Sequence, residues 1–97
     1  MVTVVKDDDE RVIGYIEWNI VGPSGYEVLN GEYIFIKNFW ITPDLRGDKT
    51  IFRRLVSQIL RKGLSAKFGY FTRKKYGGKM KIYPREFFEK IANRGEV

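Results

Sequence analysis

The sequence predicts an α/β (α+β) fold, a mixed, mainly antiparallel sheet of four to five strands with two helices. Three observations predict it. Apolar residues alternate at period two along Arg11 to Val21. Asn30-Gly31, a strong hairpin signal, separates that run from a second extended one. The apolar period then becomes helical between Ile51 and Leu60 and reverts to extended at Ala66.

Taken in order, Val2 to Lys6 reads as a short strand and Asp7 to Glu10 as a polar turn. In the strand Arg11 to Val21, Val12, Ile16, Trp18 and Ile20 share one face. Gly22 to Gly25 is a turn, and Tyr26 to Leu29 reads as a further short strand. Glu32 to Thr42 carries Tyr33, Phe35, Phe39 and Ile41 on one side and Ile34, Ile36 and Trp40 on the other. Two apolar faces predict a central strand covered on both sides. Ile51, Phe52, Leu55, Val56, Ile59 and Leu60 form a helical stripe, with Asp48 as the expected N-cap and Gly63 as the expected C′ residue. Ala66 to Thr72 is the next strand, and a basic, glycine-containing loop leads to a short extended piece, Met80 to Tyr83. Pro84 opens a last helix with Phe87, Phe88, Ile91 and Ala92 as its buried stripe. The strand–helix–strand crossover from Glu32 to Thr72 predicts one parallel strand pair in an otherwise antiparallel sheet.

The 97 residues suit one domain, and 43% hydrophobic content is enough for a packed core. The chain has no cysteine and no histidine, which excludes disulfides, thiolate zinc sites, a cysteine nucleophile and histidine acid–base chemistry; no metal site is expected. With no apolar run of membrane-spanning length and no signal-peptide pattern, a soluble, cytoplasmic protein is expected. Charge is strongly polarised. Residues 1–45 hold three basic and eight acidic side chains, residues 46–97 fifteen basic and four acidic. An anionic partner facing the C-terminal half, or simply a solvated basic face, accounts for this.

The stretch Trp40 to Thr50 joins a buried strand to an amphipathic helix through a proline turn. A first helical turn carries unpaired N–H groups and partial positive charge, suited to phosphate, and Arg46, Lys49 and the Thr50 hydroxyl add donors. The run Ile41-x-Pro43-x-x-Arg46-Gly47 resembles the GNAT superfamily of N-acetyltransferases at its pyrophosphate loop. Asp9-Glu10-Arg11-Val12-Ile13-Gly14-Tyr15-Ile16 is similar to that family's acidic turn and apolar-Gly-aromatic strand. Lys49 and Ile51 stand where the family pattern has small residues. The resemblance covers residues 2 to about 72. The tail, from Thr72 to Lys75 and from Tyr83 to Phe88, is similar in general character to short phage-borne members.

The resemblance implies a GNAT-like core beginning at the family's second strand, without its first strand and first helices. It implies acetyl-CoA, or another acyl-CoA, as donor, with direct transfer of the acyl group to an amine. Phe39, Trp40, Ile41, Arg46, Gly47, Asp48, Lys49 and Thr50 are the cofactor-binding residues it implies. Tyr70, Tyr76 and Tyr83 are its candidates for the acid that protonates the departing thiolate. The family's base has no match in Phe35 to Asn38; Glu17 and Glu32 are the nearest carboxylates.

A rival reading comes from the basic tail. Lys67, Arg73, Lys74, Lys75, Lys79, Lys81 and Arg85 alternate with Phe68, Tyr70, Phe71, Tyr76 and Tyr83. Such interleaving suits single-stranded nucleic acid, a phosphorylated cofactor, or a strand core with solvated lysines. The third possibility is a non-enzymatic interaction module, forming a homodimer through an exposed edge strand at Val2 to Lys6 or through the surface near Trp18 and Trp40.

Overall fold

A computed structural model describes residues 1–47, 49–72 and 80–93. The order of elements is β1 (Val2–Lys6), β2 (Val12–Val21), β3 (Tyr33–Ile41), a 3₁₀ turn (Pro43–Leu45), α1 (Thr50–Lys62), β4 (Phe68–Thr72), β5 (Met80–Pro84) and α2 (Arg85–Ala92). The five strands lie in the order β1-β2-β3-β4-β5. All neighbours are antiparallel except β3 and β4, the parallel pair expected from the crossover. Among the described residues no helix is long and apolar enough to cross a membrane.

The principal core lies between the sheet and α1. Trp18, Leu55, Ile16 and Val5 are essentially inaccessible, and Ile34, Ile41, Ile51 and Ile59 pack with them. The buried Trp18 indole N–H donates to the Thr3 hydroxyl at 2.9 Å, so the polar edge of the ring is satisfied. A second cluster joins Val56 and Leu60 of α1 to Phe88 of α2. Both helices therefore pack on one face of the sheet and on each other.

That arrangement corrects the expected two-sided cover of the central strand. Among the described residues the second face of β3 meets no helix, and its side chains are half-buried by rings from neighbouring strands. Tyr33 stacks on Phe68 at 5.3 Å, Phe35 on Tyr70 at 5.0 Å and Trp40 on Tyr15 at 6.0 Å. The assignment of residues to faces also changes along β3. Glu17 pairs with Asn38 but Trp18 pairs with Ile36, so Lys37 is one residue more than β2 can match. Beyond this bulge the alternation inverts. Phe39 meets Phe52 of α1 at 5.6 Å and Ile41 enters the helix-side core, while Trp40 turns to the other face.

Several smaller expectations are also corrected. Val12 is 43% exposed, because Lys6 pairs with Val12 and Val5 with Gly14, which makes Ile13 the extra residue of a second bulge. Tyr26 to Leu29 forms only an isolated bridge, Val21 to Glu27. Left-handed backbone at Gly25 (φ +86°) and Asn30 (φ +59°) confines the segment between two turns. Lys49, whose side chain has no acceptor, holds the cap position of α1 without a side-chain bond, and Asp48 lies outside the described residues. Gly63 caps α1 at φ −98° rather than in the left-handed region. Glycine is needed there for space, since a Cβ would lie 2.9 Å from Ile34 Cδ1. Phe87 is 40% exposed and lies flat on Tyr83 at 4.3 Å instead of entering the core.

Candidate functional site: a cleft where the sheet divides

The β3–β4 ladder runs only from Tyr33–Phe68 to Ile36–Phe71. Among the described residues it ends beside the Lys37 bulge, where one extra residue interrupts the regular alternation of β3. From Lys37 to Ile41, β3 remains laddered to β2 on one side and has no strand partner on the other among the described residues.

A cavity of about 360 Å³ opens at this division. Ile36 and Phe39 of β3, Phe71 of β4 and Tyr83 of β5 form its strand walls, and Phe52, Phe88 and Ile91 close it from the helices. Lys37 and Asn38 are the polar side chains at its edge. The volume falls within the range of small-molecule sites, and a mainly apolar lining with a few polar groups is their usual character. Ile16 of β2 completes the lining, so six elements contribute to a set that sequence reasoning did not assemble. Its one local signal is Lys37-Asn38, two polar residues interrupting an apolar strand, which marks a bulge.

The strand exit leads to the 3₁₀ turn and then to α1. Arg46 Nε donates to the Ile41 carbonyl at 2.9 Å, binding the turn to the end of the strand it has just left. Arg46, Gly47, Lys49 and Thr50 are exposed, and nothing lies within 4 Å of where a Gly47 Cβ would stand. Ile51 is 5% exposed and points at β2, where a Cβ on Gly14 would come within 2.7 Å of its Cγ2. The bulky Ile51 side chain is thus absorbed by the glycine across from it. The outer surface of the first turn stays clear of that side chain.

The structure separates the candidate cofactor residues. Phe39 lines the cavity, Ile41 is buried beneath the helix, and the Trp40 ring lies on the opposite face of the sheet. It also separates the tyrosines. Tyr83 lines the cavity, stacked between Phe71 at 5.7 Å and Phe87 at 4.3 Å. Tyr70 is buried on the helix-free face among Tyr33 and Phe35; burial, then the neighbouring Tyr33, raises its phenol above the ordinary tyrosine value. Tyr76 lies outside the described residues. Glu32 pairs with Lys67 at 3.3 Å, beside Tyr33 at the far end of β3. Glu17 stands opposite Asn38 at the bulge.

Of the basic tail, Lys67 is thus in an ion pair, and Lys81 Nζ lies 5.2 Å from the centre of the Tyr83 ring. Arg85 is structural, holding the carbonyls of Leu60, Gly63 and Ala66. Arg73, Lys74, Lys75 and Lys79 lie outside the described residues. No cluster of three or more potential metal ligands occurs among the described residues. Comparison with protein-family models, curated proteins and solved structures gave no match.

Proposed function

We propose that this chain is a small acyl-CoA-dependent N-acyltransferase of the GNAT type, its donor lying along the edge of β3 that β4 leaves. One observation carries the reading. A strand edge without a ladder partner among the described residues, Lys37 to Ile41, borders a cavity of about 360 Å³ at the point where the strand runs into a helix through Arg46.

The residues present fit such a donor. An amide-bearing pantetheine arm is matched by main-chain donors and acceptors of β3, which are obligatory hydrogen-bonding groups. The apolar walls, Phe39, Phe52 and Phe71, suit the acyl end. Arg46, Lys49 and the first turn of α1 gather positive charge where a pyrophosphate would lie. When bound, the cofactor supplies an activated thioester. Main-chain groups around Phe39 to Ile41 would hold it in position, and Tyr83, which lines the cavity, would serve as proton donor to the leaving thiolate.

Titration with acetyl-CoA, followed by heteronuclear NMR, tests the reading. Shifts should concentrate at residues 36–41, 46–52, 71 and 83, and Arg46→Ala should weaken binding roughly tenfold, the loss of one charge-assisted contact of about 1.5 kcal/mol. Tyr83→Phe should lower turnover with an amine acceptor while leaving acetyl-CoA binding unchanged. Shifts scattered over the surface, or none at millimolar ligand, would overturn it.

A second reading, a basic module for nucleic acid, is favoured by the outer face of α1. Residues 49–85 contain twelve basic side chains and no acidic one. Arg53, Arg54 and Arg61 line a shallow groove with Ser57 and Gln58, and none of the three is in an ion pair among the described residues. Under this reading a DNA duplex binds with affinity falling steeply with salt. Replacing all three arginines by glutamine should lower the log–log slope by up to about three. An unchanged slope would exclude this face.

A further inference from the structure

We infer that the helix-free face of the sheet is a self-association surface, closed by a second copy of this chain. This inference is independent of the acyltransferase reading, because it concerns the face opposite the helices.

The face carries two groups of rings, with the paired Glu17 and Asn38 between them. Phe35, Tyr70, Tyr33 and Phe68 tile its centre in successive contacts of 5.0, 6.3 and 5.3 Å, and Tyr15 and Trp40 form a second pair beside them. At the flanking strands, Val2 is 58% exposed, Val4 40% and Ile82 51%. Antiparallel sheets ordinarily place polar side chains on a solvated face, so an apolar second face calls for a cover.

Charge selects the occupant. On the described residues of this face Glu17 is the charged side chain within the field, the N-terminal ammonium donates to Asn19 Oδ1 at 3.1 Å, and Lys6 stands at its corner. Among the described residues, the basic side chains grouped where they could meet a polyanion, Arg53, Arg54 and Arg61, lie on α1, on the other side of the molecule. A face with so little charge can meet its own image across a two-fold axis without like-charge repulsion.

The area is sufficient. Five strands about 4.8 Å apart, each with about six residues rising about 3.3 Å, span roughly 24 by 20 Å, or roughly 500 Å² per copy. Two copies then bury about 1,000 Å², the lower bound for a specific interface, which places the dimer in the micromolar range. Tyr26, 76% exposed in the loop whose Gly25 passes the Tyr70 hydroxyl, adds an aromatic rim.

Sedimentation velocity from about 2 to about 200 µM tests this, with half-association expected at tens of micromolar. Val4 and Tyr15 face one another across β1 and β2. Val4→Glu, or separately Tyr15→Glu, should yield a monomer throughout that range with an unchanged circular dichroism spectrum. Lys90→Glu, exposed on α2, should leave association intact. In the native chain, dilution should also red-shift tryptophan emission, because Trp40 lies on this face whereas Trp18 is fully buried. A native monomer at the highest concentration, dilution without an emission shift, or a dimer that survives both face substitutions would each overturn the inference, the last in favour of edge pairing through β1.

Discussion

Tyr70 shows how one side chain's surroundings set its response to pH. Its phenol is held above the ordinary tyrosine value by burial first, and then by Tyr33 beside it. A proton bound more tightly in the folded state supports folding fully below the unfolded pKa of about 10, and that support is lost as pH rises through the folded value. Spectrophotometric titration should therefore show one of the six tyrosines ionising after the others, coincident with alkaline unfolding. Tyr70→Phe should remove the late step. The ring's presence in a strand was legible from Phe68-Gly-Tyr-Phe, but its side of the sheet was not. Side assignment depends on register against β3, and Tyr70 faces Phe35 only because the parallel pairing sets Phe35 against Tyr70. Trp18 is a similar case. Its place on the apolar face of its strand was legible and it is fully buried, but the partner that satisfies its polar edge, Thr3, lies fifteen residues earlier on another strand.

Between elements, the same limit explains Arg85. In sequence it belongs to a basic run; in the fold it clasps α2 to the end of α1. Its guanidinium donates to Leu60 O at 3.0 Å and to Gly63 O and Ala66 O at 2.8 Å, while Nε pairs with Glu89 at 2.9 Å. The last carbonyls of a helix have no intrahelical donors, and here a planar five-donor fork supplies them from another helix. Arg85→Ala should cost about 2–3 kcal/mol and lower the melting temperature by roughly 10 °C or more, measured by thermal circular dichroism. Arg85→Lys should recover less than half of that loss, since an ammonium cannot span three carbonyls. The helix itself was legible, stripe and all, because Leu55, Val56, Ile59 and Leu60 recur at its period. Which polar group caps it was not, because the partner is more than twenty residues away.

For the molecule as a whole, the sheet order, the single parallel pair and the two helices follow from local periods and the crossover rule. The cleft does not. Its walls come from β2, β3, β4, β5, α1 and α2, brought together only by the tertiary fold. If acetyl-CoA binds there, ligand at a hundred times its dissociation constant raises global stability by about 2.7 kcal/mol. The same melting curves then report on the site, and the Arg46→Ala protein should show a smaller shift at equal ligand. The distribution of charge follows the division between faces. The arginines of α1 lie on the helical side, and the rings occupy the other, so polar and apolar partners would approach from opposite directions.

The Lys37 bulge makes chain length, rather than side-chain chemistry, the control on this architecture. With Lys37 removed from β3, the two-residue alternation would run unbroken with Phe39 and Ile41 still on the helix side and Trp40 on the other, and the strand could continue its ladder with β4. A single-codon deletion could therefore zip the slot shut without altering the chemistry of any neighbouring side chain, and a single-codon insertion into an unbroken strand is a route by which such a slot could arise.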